Sequence, residues 1–156
     1  TSPTTDFAKE ALFNLMNNHF ELEMISVLDL FAGTGNIGFE FASRGAESIT
    51  AVDNNGNCVK YINTTAAALK FENMQAHRAD AIKFVERAYR KWDVVFADPP
   101  YEFEGHELLV NKVFEKNILE DEGMLVIEHS KRTSLEEHPR FRESRNYGNV
   151  TFSFFE

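Results

Sequence analysis

Leu28-Asp29-Leu30-Phe31-Ala32-Gly33-Thr34-Gly35 decides how this sequence folds. Val27 to Phe31 is a short apolar run broken only by Asp29, which reads as a strand feeding a glycine-rich turn. Glycines allow a tight turn and let the backbone approach a ligand closely. With Gly38 the stretch also fits Gly-x-Gly-x-x-Gly, and Asp53 ends the next apolar segment twenty residues after Gly33. An acid placed there accepts hydrogen bonds from two ribose hydroxyls. Phe31, Ala32, Gly33, Gly35 and Asn36 are therefore expected to border a nucleotide-like cofactor, with Asp53 and Asn54 opposite them.

Working outward from this turn, strand and helix patterns alternate. Thr4-Thr5-Asp6 suits a helix start, and Phe7, Ala8, Ala11, Leu12, Leu15 and Met16 keep helical spacing to about His19. Ile37 to Ser43 reads as a helix stopped by Arg44-Gly45. Strands are expected at Ser48–Val52, Met74–Arg78, Trp92–Ala97 and Met124–Glu128, the last opened by Gly123. Helices are expected at Asn57–Leu69, from Asp80 to about Arg90, and over roughly His106–Lys116. Phe141–Tyr147 and Val150–Phe155 flank Gly148-Asn149 and read as a hairpin. This alternation predicts an α/β sandwich, mostly parallel with right-handed crossovers, whose seven strands finish in an antiparallel C-terminal hairpin. No repeat or linker interrupts residues 1–156, which read as a single domain.

Two details bear on the cofactor. Asp29 lies inside the first strand, four residues before Gly33. An ionised carboxylate is ill-suited to a pyrophosphate but suits the cationic methionine end of S-adenosylmethionine. A dehydrogenase also normally needs a second domain to shield its substrate. Both details favour the methyl donor, although the glycine turn alone would serve an NAD enzyme equally. Asp80-Ala81 follows the third strand, where the carboxylate or the adjacent amide would reach an adenine edge. Asp80 is also a good helix N-cap, and the two roles are compatible.

The second informative stretch, Asp98-Pro99-Pro100-Tyr101, leaves the near-continuous apolar run Trp92–Ala97. That run has the pattern of a strand buried on both faces. An aromatic exocyclic amine is a poor nucleophile because its lone pair is delocalised into the ring. Accepting hydrogen bonds from both its protons favours a pyramidal nitrogen. Asp98 offers one acceptor and the Pro99 carbonyl the other, with Pro99 and Pro100 fixing the backbone. Tyr101 offers a stacking face worth about 1–3 kcal/mol at comparable sites. Asp98 needs only to be ionised at neutral pH, as an ordinary Asp of pKa about 3.9 would be. Phe103 is placed to wall the base pocket.

Composition narrows the remaining classes. No apolar run approaches the ~20 residues of a bilayer-spanning helix, and no signal peptide is visible, so no membrane partner and a cytoplasmic location are expected. The lone Cys58 fits a reducing compartment, and the five histidines show no ligand spacing, so no metal is expected. The sequence opens at Thr1 without Met, so upstream residues are expected. Net charge is −9, which argues against a large nucleic-acid footprint. Two basic clusters soften that objection: Lys83, Arg87, Arg90 and Lys91, then Lys131, Arg132, Arg140, Arg142 and Arg145. Each alone reads most simply as a solvated face.

Taken together, these motifs resemble the bacterial small-subunit (16S) rRNA guanine-N2 methyltransferases, class I enzymes that use S-adenosylmethionine. Pro3-Thr4-Thr5-Asp6 and Glu10-Ala11-Leu12-Phe13-Asn14 resemble that family's opening helix. Asp29 to Gly35 and Ser43-Arg44-Gly45-Ala46 resemble its cofactor turn and the helix end that follows. Asp98-Pro99-Pro100-Tyr101 matches its catalytic turn and Tyr147-Gly148 its late hairpin. The resemblance implies a Rossmann-like three-layer sandwich and methyl transfer to N2 of a flipped guanine in 16S rRNA. Family members usually begin with a short basic segment that this sequence lacks, and they are less acidic. A partly assembled ribosomal subunit, with its basic proteins, would supply complementary contacts. Asp-Pro-Pro-Tyr is shared with adenine-N6 DNA methyltransferases, which is the alternative substrate class. A catalytically inactive RNA-binding or assembly factor is the alternative outside enzymes.

Overall fold

The structure, a computed structural model, describes residues 4–156; Pro3 of the opening motif lies outside them. Helix α1 (Asp6–His19) begins where Thr5 Oγ1 accepts a hydrogen bond from the Ala8 N–H at 3.2 Å. Asp6 in the first turn meets the positive end of the helix dipole. A 3-10 turn at Leu22–Met24 leads into β1 (Ser26–Leu30). Then follow α2 (Asn36–Ser43), β2 (Ser48–Asp53), α3 (Gly56–Ala68), β3 (Met74–Arg78) and α4 (Ala81–Arg87). The chain ends with β4 (Trp92–Ala97), α5 (His106–Glu115), β5 (Leu119–His129), β6 (Phe141–Tyr147) and β7 (Val150–Phe155).

The seven strands form one sheet in the order β3-β2-β1-β4-β5-β7-β6. The first five pair in parallel, and β7 runs antiparallel between β5 and β6. Alternating side chains separate the two faces. Val27, Phe96 and Val126 pack under Leu12, Phe13, Phe41 and Ile62 from α1, α2 and α3. Leu28, Leu30, Val95 and Ile127 pack under Val85, Leu109 and Val113 from α4 and α5. The expected three-layer α/β sandwich with a terminal hairpin is present.

Strand order reverses between β1 and β4, and connections leaving such a point in opposite directions open a crevice beyond the strands' carboxyl ends. Leu30 pairs with Ala97, and the Asp98 N–H donates to the Leu30 carbonyl at 3.4 Å. The two motifs about seventy residues apart in sequence thus leave the sheet side by side.

Two element boundaries differ from expectation. Strand β5 starts at Leu119 rather than Met124, because Trp92 pairs with Leu119 while Val94 pairs with Met124. The extra β5 residues form a bulge, and Gly123 sits inside the strand. A Cβ there would lie 2.8 Å from the Glu120 carbonyl oxygen and 2.9 Å from that of Asp93. Helix α4 ends at Arg87 rather than about Arg90. The chain straightens at Ala88, and the Trp92 N–H then reaches the Ile118 carbonyl at 2.8 Å. Among the described residues no helix is long and apolar enough to cross a membrane.

Candidate active site

A cavity of about 710 Å³ occupies the crevice beyond β1 and β4. Its first wall is the turn after β1. Phe31, Gly33 and Gly35 all have left-handed backbones, at φ 57°, 58° and 86°, which curls the turn tightly. Phe31, Ala32 and Gly33 line the cavity. A Cβ on Gly33 would meet no atom within 4 Å, which leaves that space to the cavity. Gly35 caps α2 outside the wall, and a Cβ there would lie 2.9 Å from the Phe39 ring and 3.1 Å from Ile62. Its place in the site is to shape the turn.

Asp53 braces this turn from β2. One carboxylate oxygen accepts from the Gly33 N–H at 2.8 Å, the other from the Asn55 N–H at 2.9 Å. Asn54 lines the same wall, and its carbonyl accepts from Arg78 Nε at 3.2 Å. Asn36 ties the turn to the opening helix: its amide donates to the Thr4 carbonyl at 3.4 Å, and its Oδ1 accepts from Lys9 Nζ at 3.2 Å. Asp80 both lines the cavity and caps α4, accepting from the Lys83 N–H at 3.0 Å. Ala81 is buried in the first turn of α4 and does not reach the cavity wall.

Asp29 is buried at the cavity floor and accepts from the Gly38 N–H at 3.2 Å. Burial pushes its carboxyl up to about 7, helped by the charges of Asp53 and Glu128, while the Gly38 hydrogen bond pulls the other way. The ionised Asp29 expected from the sequence therefore requires a cation in the cavity or a pH above neutral.

The opposite wall is the turn after β4, where Asp98 and Pro100 line the cavity and Pro99 is buried beneath them. The Pro100 carbonyl is used within the turn, accepting from the Phe103 N–H at 2.9 Å. The Pro99 carbonyl accepts no such bond among the described residues. Phe103 stands in the wall as expected, its ring edge-on to Phe31 at 5.1 Å. Tyr101 points elsewhere. The residue is 62% exposed, the Arg132 guanidinium lies 4.5 Å over its ring, and Arg132 Nη1 donates to its hydroxyl at 2.9 Å. A base stacking on that face must displace Arg132.

Asp98 is not the ordinary carboxylate the sequence suggested. Burial, then the charges of Glu128 and Asp29, push it up to about 8. Glu128 is the residue that sequence reasoning missed. Ala97 pairs with Ile127, so Asp98 and Glu128 follow at matching positions, and strand alternation puts Asp29, Asp98 and Glu128 on one face. Glu128 is buried and raised by that burial, and it accepts from Thr4 Oγ1 at 2.5 Å. The available signal was an acid ending the apolar run Met124-Leu125-Val126-Ile127. Asp29 and Asp98 line the cavity, and Glu128, behind its wall, adds its charge to both, an arrangement that suits a cation and a donor-rich amine.

Known proteins match this geometry. Residues 1–156 match the protein family described as Conserved hypothetical protein 95. The chain is 33% identical over 141 residues to the provisionally named rRNA methyltransferase YlbH of Bacillus subtilis, covering 88% of this chain and 76% of that protein. It is 29% identical over 126 residues to the Ribosomal RNA small subunit methyltransferase D of Escherichia coli, covering 81% of this chain. It spans 63% of that relative, less than two thirds of its length. A solved Escherichia coli structure, provisionally named methyltransferase yhhF, matches with a TM-score of 0.86 at 25% identity. That match covers 99% of this chain and 86% of the other. With the family matched along its whole length, and a relative at 33% identity, the chain belongs to the Conserved hypothetical protein 95 family and has the class I methyltransferase fold.

Proposed function

We propose that this chain transfers a methyl group from S-adenosylmethionine to the exocyclic N2 amine of a guanine in small-subunit rRNA. The observation carrying this reading is one continuous cavity, with the Gly33 turn and Asp53 at one end and Asp98 and Pro100 at the other. The residues fit the cofactor. A buried carboxylate, Asp29, suits the ammonium and sulfonium charges; Asp53 suits the ribose hydroxyls; the space beside Gly33 suits a close backbone contact. When bound, S-adenosylmethionine supplies an electrophilic methyl group.

The target turn then holds the amine. Asp98 accepts one N2 proton and the Pro99 carbonyl the other, which aims the nitrogen lone pair into the cavity. As N2 gains the methyl it must release a proton. Asp98, held near 8, is a better acceptor for it than an ordinary Asp. Most of the rate gain comes from alignment of the two reactants. The names of the relatives support small-subunit rRNA as the substrate class, and the resemblance of the opening helix supports guanine N2.

The test is tritiated methyl transfer from S-adenosylmethionine to undermethylated small subunits, naked rRNA and duplex DNA, followed by nucleoside analysis. Label in N2-methylguanosine is expected. Label in N6-methyladenine from DNA would overturn the substrate, and no label anywhere despite cofactor binding would overturn the activity.

A further inference from the structure

Asp80 also lines a second groove, of about 730 Å³, running along β3 and α4. It exists because α4 stops early. Met74 and Ala76 of β3 are buried, whereas the alternate residues Gln75 and His77 stay exposed. Arg78, Lys83, Arg87 and Arg90 line the groove, and none of them joins an ion pair among the described residues. Its carboxylate, Asp80, is engaged in capping α4. In a chain of net charge −9, these four cations reverse the local field.

Two aromatic residues add to the charge. Trp92 lines the groove at 2% exposure, and its buried indole Nε1 has no hydrogen-bond partner among the described residues. The Arg90 guanidinium lies 4.9 Å over the indole ring. Tyr89, also in the wall, is 97% exposed. Cations beside an exposed ring are the components by which single-stranded nucleic acid is held, the cations on phosphates and the ring under a base. In the later basic cluster, by contrast, Arg142 and Arg145 are ion-paired with Glu156 and Glu143, and Arg132 also donates to the Tyr101 hydroxyl.

We propose that this groove is a second RNA-binding site, in which Arg78, Lys83, Arg87 and Arg90 hold the backbone of single-stranded RNA flanking the target and Tyr89 stacks on a base. The inference rests on the RNA-directed function proposed above. Asp80 lines both the groove and the cofactor cavity, so the groove lies beside the site where the target base would enter.

Trp92 is the only tryptophan in the chain, so all tryptophan emission comes from the wall of this groove. The experiment titrates the protein with a single-stranded oligoribonucleotide of roughly ten nucleotides while following Trp92 emission and the anisotropy of a labelled copy. The expected result is a change in Trp92 emission that parallels binding. Arg87→Glu with Arg90→Glu should raise Kd at least ~10-fold and remove about 1.4 from the salt slope, roughly 0.7 for each phosphate left without its cation. Arg87→Lys with Arg90→Lys should recover most of that affinity. Cofactor affinity should not change, since neither arginine lines that cavity. Absence of binding, binding that leaves Trp92 emission unmoved, or an unchanged Kd in the charge-reversed variant would each overturn the proposal. So would a response to tripolyphosphate but not to RNA, which would mark a small-anion site. Failure of the methylation reading would show separately, as no transfer to rRNA by the unaltered protein while groove binding persists.

Discussion

Asp98 and Asp29 have carboxyls pushed up to about 8 and about 7, and this gives each a distinct pH signature. If ionised Asp98 holds the amine, kcat/KM should rise with pH, reach half its maximum near 8 and level off above it, the apparent value belonging to the cluster with Glu128 and Asp29. A flat profile from pH 6 to 9 would remove that role. Asp98→Ala should leave cofactor affinity within a few-fold and lower turnover at least ~100-fold, the usual cost of losing a positioned polar group. For Asp29 the linkage runs opposite to that of a salt-bridged acid. Between its ordinary 3.8 and about 7, the folded protein keeps a proton that the unfolded chain has released. Stability of the ligand-free protein therefore falls as pH rises through that window and is level above it. Asp29→Asn keeps an acceptor for the Gly38 N–H and removes the buried charge. It should stabilise the ligand-free protein at pH 8 by about 4 kcal/mol, with under about 1 kcal/mol gained at pH 4. It should also weaken S-adenosylmethionine binding at least ~10-fold. Denaturant unfolding at both pH values, with calorimetric titration, measures both effects.

At the scale of elements, the turn from β1 to α2 separates two kinds of glycine. Gly35 combines φ 86° with a Cβ position 2.9 Å from the Phe39 ring, so Gly35→Ala should cost about 1–3 kcal/mol of stability. Gly33 has φ 58° but no atom within 4 Å of that position, and it lines the cavity. Gly33→Ala should therefore damage cofactor affinity more than stability, and Gly35→Ala the reverse; thermal unfolding beside calorimetry tests the contrast. The same turn was the most legible part of the sequence, because strand, glycines and the later Asp53 are local signals. The Trp92–Ala97 strand and the Gly148-Asn149 hairpin were legible for the same reason. The start of β5 was not. Leu119-Glu120-Asp121-Glu122 has the composition of a loop and becomes strand where Leu119 pairs with Trp92. The end of α4 was hidden likewise, since nothing local in Ala88-Tyr89-Arg90 marks where β4 must begin. Glu128 was missed because its place beside Asp98 depends on the register between two strands thirty residues apart. The raised carboxyl of Asp98 follows from that same register.

For the whole molecule, net charge and local charge point in different directions, and the substrate must satisfy both. A body carrying −9 repels a naked polyanion at long range. Against that field, four cations outside any ion pair among the described residues gather at the groove beside α4, and Arg132 lies over the target turn. A partly assembled small subunit differs from naked rRNA in carrying basic proteins, which would attract the acidic faces while the groove engages exposed RNA. The particle should therefore be methylated with a kcat/KM at least ~10-fold above that of naked rRNA near physiological ionic strength, where the screening length is about 8 Å. The preference should shrink as salt rises, because contact between an acidic surface and basic proteins is screened while base recognition inside the cavity is not. Steady-state methylation of both substrates across a salt series measures this. Equal values on the two substrates at low salt would mean that the acidic body plays no part in choosing the substrate, and that the local cations alone bring the RNA to the site.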